Sequence, residues 1–417
     1  MSYQREKVLN DFLFFFYTLF IFSSTCSIAA AQISLGLALL LFLIISIIKH
    51  YNPFVSSLKW LYLFVGLYIF WMLVAAVLGK TPLESVLMIK EEWLFCAVPI
   101  GIYLLRNEAY RKKIIYAFAF GVGLFSLYGI IQHFTGFHWP KKELPPLAFD
   151  FGYIVKGTLP STMTFGNYFG AAAIFFSAFL ITGYERLTKK EKLFFGVVSS
   201  LAILVTLFSY SRGAILGLAI CLIVIGLLKS KKQFLYILGA IILIVTFSIA
   251  SSPALRERIK NNSLKELKLD NPASRLFIWN NSLKIINSNP VFGVGQGNFQ
   301  TAYEAKLDGN IPENRKYSHA HNDFLNIAVV AGLPGMIFFA GIWFTLFYYF
   351  WVGFKKKKQL AENNHYFGAA LLGSLMFFIS SGTEAVFADE EVRQLLMFIW
   401  AVGFWQWFKP SQKMVGT

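Results

Sequence analysis

The chain has 417 residues, of which 56% are apolar and only 14% charged, and phenylalanine alone contributes 45. Apolar runs long enough to cross a hydrocarbon core recur along the whole length, which excludes an ordinary water-soluble domain. The formal net charge of +16 does not point to nucleic acid, because much of it sits in short loops suited to anionic lipid headgroups.

Twelve spans are predicted in chain order, at 11–29, 32–48, 59–78, 84–105, 114–133, 163–183, 193–208, 211–228, 234–251, 323–352, 366–382 and 392–408. No cleavable leader is expected, since the first run is long, lacks a small-residue cleavage site and is followed at once by another span. With the N-terminus in the cytoplasm, the inside segments carry 21 of the 38 Lys and Arg residues, the short outer loops seven and the long segment 252–322 the other ten. The short-loop bias therefore predicts that both termini lie inside. The expected fold is an all-α integral membrane protein with one integrated membrane domain. Residues 1–251 would hold spans one to nine, 252–322 a helical outer loop, and 323–417 the last three spans. Cys26, Cys96 and Cys221 fall within apolar runs, so neither a disulfide framework nor a thiolate metal site is indicated.

The long loop reads as helical. Ser274 can cap a helix whose Leu276, Trp279, Leu283 and Ile286 form an apolar stripe. Ahead of it, Leu255, Ile259, Leu264 and Leu267 alternate with Arg256, Arg258, Lys260, Lys265 and Lys268, the pattern of a basic helix lying on a membrane surface. Pro290-Val-Phe-Gly-Val-Gly-Gln-Gly297 ends the second helix. Its glycines resemble a nucleotide loop only superficially, because no strand precedes them. The loop is expected to fold over the spans as a lid.

Five groups of residues could carry chemistry. Arg212, in Ser209-Tyr-Ser-Arg-Gly213, opens the eighth span 17 residues before Lys229, about 25 Å along a helix. It can snorkel to the interface, or its guanidinium can bind phosphate oxygens in pairs. Arg275 follows the cap Ser274 and is either an ordinary surface arginine or a second guanidinium over the same site. His321, with Asn322 and Asp323, begins the tenth span. There the positive helix end favours a neutral imidazole able to accept a proton, although an interfacial capping histidine is the plainer reading. His319-Ala-His321 could also supply two metal ligands, but no third at a metal-site spacing is evident. Gly332-Leu-Pro-Gly335 predicts a kink inside that span and a close helix approach. The acidic stretch Glu384 to Glu391 reads by default as a solvated loop; it could instead hold an acceptor sugar or pair with Arg212 or Arg393.

Taken together, the His321-Asn322, nine-residue, Gly332-x-x-Gly335 pattern, the Ser211-Arg212-Gly213 turn, Arg275 with Trp279, and Pro290-x-x-Gly293-x-Gly295 resemble the O-antigen ligase and O-antigen polymerase superfamily of bacterial envelope glycosyltransferases. The likeness is detailed over roughly 190–345 and extends to the whole chain in topology. It implies a C-type glycosyltransferase architecture in the bacterial inner membrane with a periplasmic site and no metal or other cofactor. The implied donor is an undecaprenyl-diphosphate-linked glycan, and the implied acceptor a lipid A-core sugar, with inversion at the anomeric carbon. Carried onto this chain, Arg212 and Arg275 would hold the diphosphate and His321 would act as base or orient the acceptor, supported by Asn322, Gly332 and Gly335. Other members of the superfamily polymerise repeat units or glycosylate protein hydroxyls. A lipid flippase or transporter is the reading outside this class, but no charged, discontinuous pair of helices at mid-membrane favours it.

Overall fold

The computed structural model describes residues 3–139, 152–251, 256, 271–272, 274–307, 317–355 and 364–407. The basic helix predicted over 255–268 lies outside them, Arg256 apart, as do Lys141 and Lys142 of the loop 134–162. Among the described residues the regular structure is helical, with no strand. The helices are α1 (Tyr3–Ser23), α2 (Ile28–Ile48), α3 (Lys59–Val77), α4 (Pro82–Met88), α5 (Ala97–Leu105), α6 (Glu108–Thr135), α7 (Thr162–Thr182) and α8 (Lys189–Phe208). They continue with α9 (Arg212–Lys229), α10 (Lys231–Ser251), α11 (Arg275–Ser288), α12 (Phe299–Glu304), α13 (Asp323–Lys355), α14 (Asn364–Ser381) and α15 (Glu390–Phe404). Among the described residues, seven helical segments are long and apolar enough to cross a membrane by length and composition: α2, α3, α6, α7, α8, α9 and α13.

Local chemistry explains where the predicted spans begin and end. The first stops at Ser23, not near residue 29, because the hydroxyls of Ser24 and Thr25 donate to the carbonyls of Ile21 and Phe22. Such back-bonding competes with helix continuation. Ser27 then caps α2 by accepting from Ala30 N–H. The predicted span 84–105 is not one helix. Pro82 starts α4, Ile89–Cys96 winds as a tighter 3-10 turn, and α5 follows. The tight stretch carries Glu91 and Glu92, which accept from Arg393 on α15 at 2.7 and 3.2 Å. Arg393 is only 2% exposed. An unpaired charge at that depth would cost about 3–5 kcal/mol, so the two glutamates hold this stretch against α15.

The centre of the molecule is α7, buried on all sides against α8, α9 and α14. Small residues such as Gly170, Ala171, Ala172 and Ala173 let those neighbours approach. The helix α15 is equally enclosed from Glu391 to Phe404. Large apolar side chains on the outer helices, among them Ile33, Phe70 and Phe344, point outward.

The kink predicted in α13 is present. Gly332 leaves helical geometry at φ 70° and ψ −178°, a conformation open to glycine and costly for other residues. The break strands backbone groups that need partners. The 290–298 loop supplies them: Val294 N–H and Gly295 N–H donate to the Val329 and Val330 carbonyls at 2.9 Å each, and Leu333 N–H donates to Pro290 O at 2.8 Å. The indole of Trp71 donates to Ala331 O at 2.8 Å and stacks on Phe292. The two glycine-proline segments are thus halves of one joint. Gly335 lies on its far side, where an added β-carbon would meet Ala331 at 2.6 Å.

Candidate active site

The N-termini of α7, α9, α11, α13 and α15 and the C-terminal end of α14 share one end of the bundle, and the candidate residues gather there. Ser274 caps α11 by accepting from Phe277 N–H at 3.0 Å, which fixes Arg275 as the first helical residue. The buried face of α11 shares only Ile286 with the predicted stripe. Ile278, Asn281, Ser282, Ile285 and Ile286 are buried, whereas Leu283 is 49% exposed. Asn281 and Ser282 fit an inner face because their side chains donate to the helix's own carbonyls, at Phe277 and Ile278. Apolar periodicity alone cannot register such residues. Trp279 Nε1 donates to Ala320 O at 3.0 Å, tying α11 to the turn before α13.

That turn holds His321 at φ 49°, in the left-handed region where non-glycine residues concentrate at functional or strained sites. His321 precedes the helix proper; Asn322 caps it, its Oδ1 accepting from Leu325 N–H at 3.0 Å. The imidazole Nδ1 meets Glu384 Oε2 at 2.8 Å. The other carboxylate oxygen, Oε1, accepts from Arg275 Nη2. One buried carboxylate, its side chain 6% exposed, therefore bridges two of the three principal candidates. This corrects the solvated-loop reading of Glu384. Its partners are Arg275 and His321.

The loop bearing Glu384 is pinned from α13. Asn322 Nδ2 donates to Gly382 O at 3.0 Å, and both Asp323 oxygens accept from Phe387 N–H at 3.0 and 3.1 Å. Three consecutive residues thus grip one short loop, His321 at its acid and Asn322 and Asp323 at its ends.

Arg212 is the exposed first residue of α9. Its neighbour Gly213 faces Thr383, where a β-carbon would come within 2.5 Å of the Thr383 hydroxyl. Thr383 directly precedes Glu384, so the lack of a side chain at residue 213 lets the arginine turn approach the same loop. Tyr210, just ahead, is another non-glycine residue at positive φ, 51°. Next to this turn Thr164 Oγ1, one turn into α7, donates to Asp389 Oδ2 at 2.9 Å.

The electrostatics are divided. Burial pushes the Glu384 carboxyl up, but the His321 hydrogen bond and the charges of His321 and Arg275 outweigh it and hold the group below the ordinary range. Burial raises Asp389 to about 6, and the nearby Glu384 adds to the rise while Thr164 opposes it. Burial and the adjacent His321 lower His319 to about 4. The signs give a test. Stability from Glu384 is fully present above the ordinary value of 4.5 and is lost as pH falls through the lowered folded value. Asp389 acts oppositely, its contribution being lost as pH rises through about 6. Thermal melting across pH is expected to show Glu384→Gln flattening the acid-side fall and Asp389→Asn removing a loss that builds between the ordinary value of 3.8 and about 6. Unchanged profiles in both variants would contradict the assignments.

Among the described residues, no group of three or more His, Cys, Asp or Glu is arranged to hold a metal ion. Residues 197–340 match the family model described as O-antigen ligase. The match supports the O-antigen ligase superfamily for a segment that carries Arg212, Arg275, His321 and both glycine motifs, while Glu384 lies outside it. No curated protein matches the chain. The family match and the seven apolar helices indicate a multi-pass membrane protein and a glycosyltransferase-like enzyme.

Proposed function

We propose that the protein transfers a glycan from an undecaprenyl-diphosphate carrier to a hydroxyl acceptor, most naturally a lipid A-core sugar, on the periplasmic face of the bacterial inner membrane. The observation that carries this reading is the Glu384 bridge between Arg275 and His321. A carboxylate accepting from Nδ1–H leaves Nε2 as the imidazole's proton acceptor. His321 is then oriented as a base for the attacking hydroxyl, in the manner of a His–carboxylate pair. As the acceptor oxygen bonds to the anomeric carbon from the opposite face, the bond from that carbon to the diphosphate breaks, inverting the centre. The hydroxyl proton passes to Nε2, and Arg212 and Arg275 stabilise the departing diphosphate charge. Arg275 spends one N–H on Glu384 and keeps the others for phosphate oxygens.

In this reading the chain crosses the membrane twelve times with both termini cytoplasmic, and residues 252–322 form the periplasmic loop. Asn322 holds the acid-bearing loop, and Gly332 and Gly335 hold the joint beneath it. Repeat-unit polymerisation or transfer to protein hydroxyls would use the same parts with another acceptor.

The test is transfer by purified protein from a lipid-diphosphate glycan to lipid A-core or to further donor. One addition per acceptor supports ligation, and a ladder supports polymerisation. His321→Ala is expected to abolish transfer with abundance in the membrane unchanged. Arg212→Lys should weaken it, because an ammonium cannot make the paired contact. Full activity in His321→Ala would remove the base, and wild-type donor affinity in Arg212→Lys would leave that arginine a snorkelling residue.

A further inference from the structure

His321 adopts a backbone conformation that an imidazole-bearing residue takes only at a cost, and the residue two positions earlier helps hold it there. The His321 backbone N–H donates to His319 Nδ1 at 3.2 Å. The two rings meet edge to face, with centroids 4.4 Å apart and planes at 71°. Between them Ala320 is fully buried and fixed at both backbone groups: its carbonyl accepts from Trp279 Nε1 and its N–H donates to Asn326 Oδ1. A ring nitrogen that accepts a backbone N–H must itself be without a proton, so His319 carries its proton on Nε2. Its depressed basicity, from burial and from His321, agrees with a neutral ring.

We propose that His319 is a positioning residue for the candidate base: its unprotonated Nδ1 accepts the His321 backbone N–H and holds His321 in the left-handed conformation that brings its own Nδ1 onto Glu384. This rests on the proposed role of His321 for its catalytic consequence, but not for its geometry. His319 does not touch substrate in this account. Its acceptor atom does the positioning, and its bulk is secondary. Misplacing a reacting group by about 1 Å can cost roughly 100-fold in rate, so the loss of one local hydrogen bond becomes visible in turnover.

The variants separate acceptor from bulk. Asparagine places its carbonyl oxygen near the position of Nδ1, while leucine fills the space without an acceptor. His319→Asn is expected to keep kcat within about threefold of wild type, and His319→Leu to lose roughly 10- to 100-fold in kcat with donor KM nearly unchanged. Full kcat in His319→Leu, or equal impairment in both variants, overturns the proposal. The full chain labelled with 15N-histidine in lipid nanodiscs gives a readout independent of turnover. Its six histidines should include one, absent in His319→Asn, that is neutral and protonated on Nε2 at neutral pH. A proton on Nδ1 of that residue would also overturn the proposal. Wild-type protein inactive toward every glycan acceptor, yet with this tautomer intact, would sink the transferase reading and leave the positioning contact standing.

Discussion

Glu384→Ala is expected to lower glycan transfer by about 100- to 1,000-fold in single-turnover kcat, with the protein still present in the membrane. One carboxylate serves both Arg275 and His321, so its removal acts twice. The imidazole loses the acceptor that fixes its Nδ1 proton, and the half-buried guanidinium loses its counter-charge. Glu384→Gln should fall nearly as far. An amide oxygen can accept from either partner, but its NH2 group faces a second donor and lacks the charge that favours imidazolium after proton transfer. Near-wild-type turnover in either variant would reduce Glu384 to a structural counter-ion and remove the main support for His321 as the base.

Gly332→Ala is expected to be the most destabilising glycine-to-alanine change among the described residues. At φ 70° and ψ −178° the backbone is essentially reserved for glycine, and a β-carbon there would overlap the carbonyl oxygen of Val291. Relief would require separating the 290–298 loop from α13 and breaking the Leu333 N–H bond to Pro290 O. Conformational strain and a lost buried hydrogen bond together suggest a cost of about 3–5 kcal/mol. The variant should accumulate poorly, or melt many degrees below wild type in detergent by intrinsic tryptophan fluorescence. An unshifted melting curve would show that the joint can close around a side chain.

The convergence of Arg275 and His321, 46 positions apart, is an expectation of the resemblance, whereas the apolar runs of most helices, the Ser274 cap and the α13 kink each leave a local signature. Glu384 leaves none. Its partners lie 109 and 63 positions away, and an acid in a short polar loop carries no periodicity to show that it points inward. The inner face of α11 escaped because Asn281 and Ser282 satisfy their own polar atoms and so occupy places that pattern reading assigns to leucine. Pro290-x-x-Gly293-x-Gly295 and Gly332-x-x-Gly335 were each visible, but their hydrogen-bonded pairing spans 35 to 43 residues of chain and depends on how the helix end exposes its carbonyls. The broken fourth span carries Glu91 and Glu92, whose partner Arg393 lies some 300 positions distant.

The enclosure of α7 has a consequence for biogenesis. It is the least apolar of the seven long helices, yet it carries the buried polar residues Asn167 and Ser177 and has every flank covered. A ribosome delivers α7 well before α14, which forms much of its sheath. Until α14 arrives, the face of α7 that packs against it, including Gly170 and Phe175, must rest against lipid or against an insertion factor. Assembly therefore cannot proceed as simple sequential release of finished helices. A nascent chain cut short before residue 364 would leave one flank of α7 uncovered in the middle of the bundle, the kind of defect that membrane quality control removes.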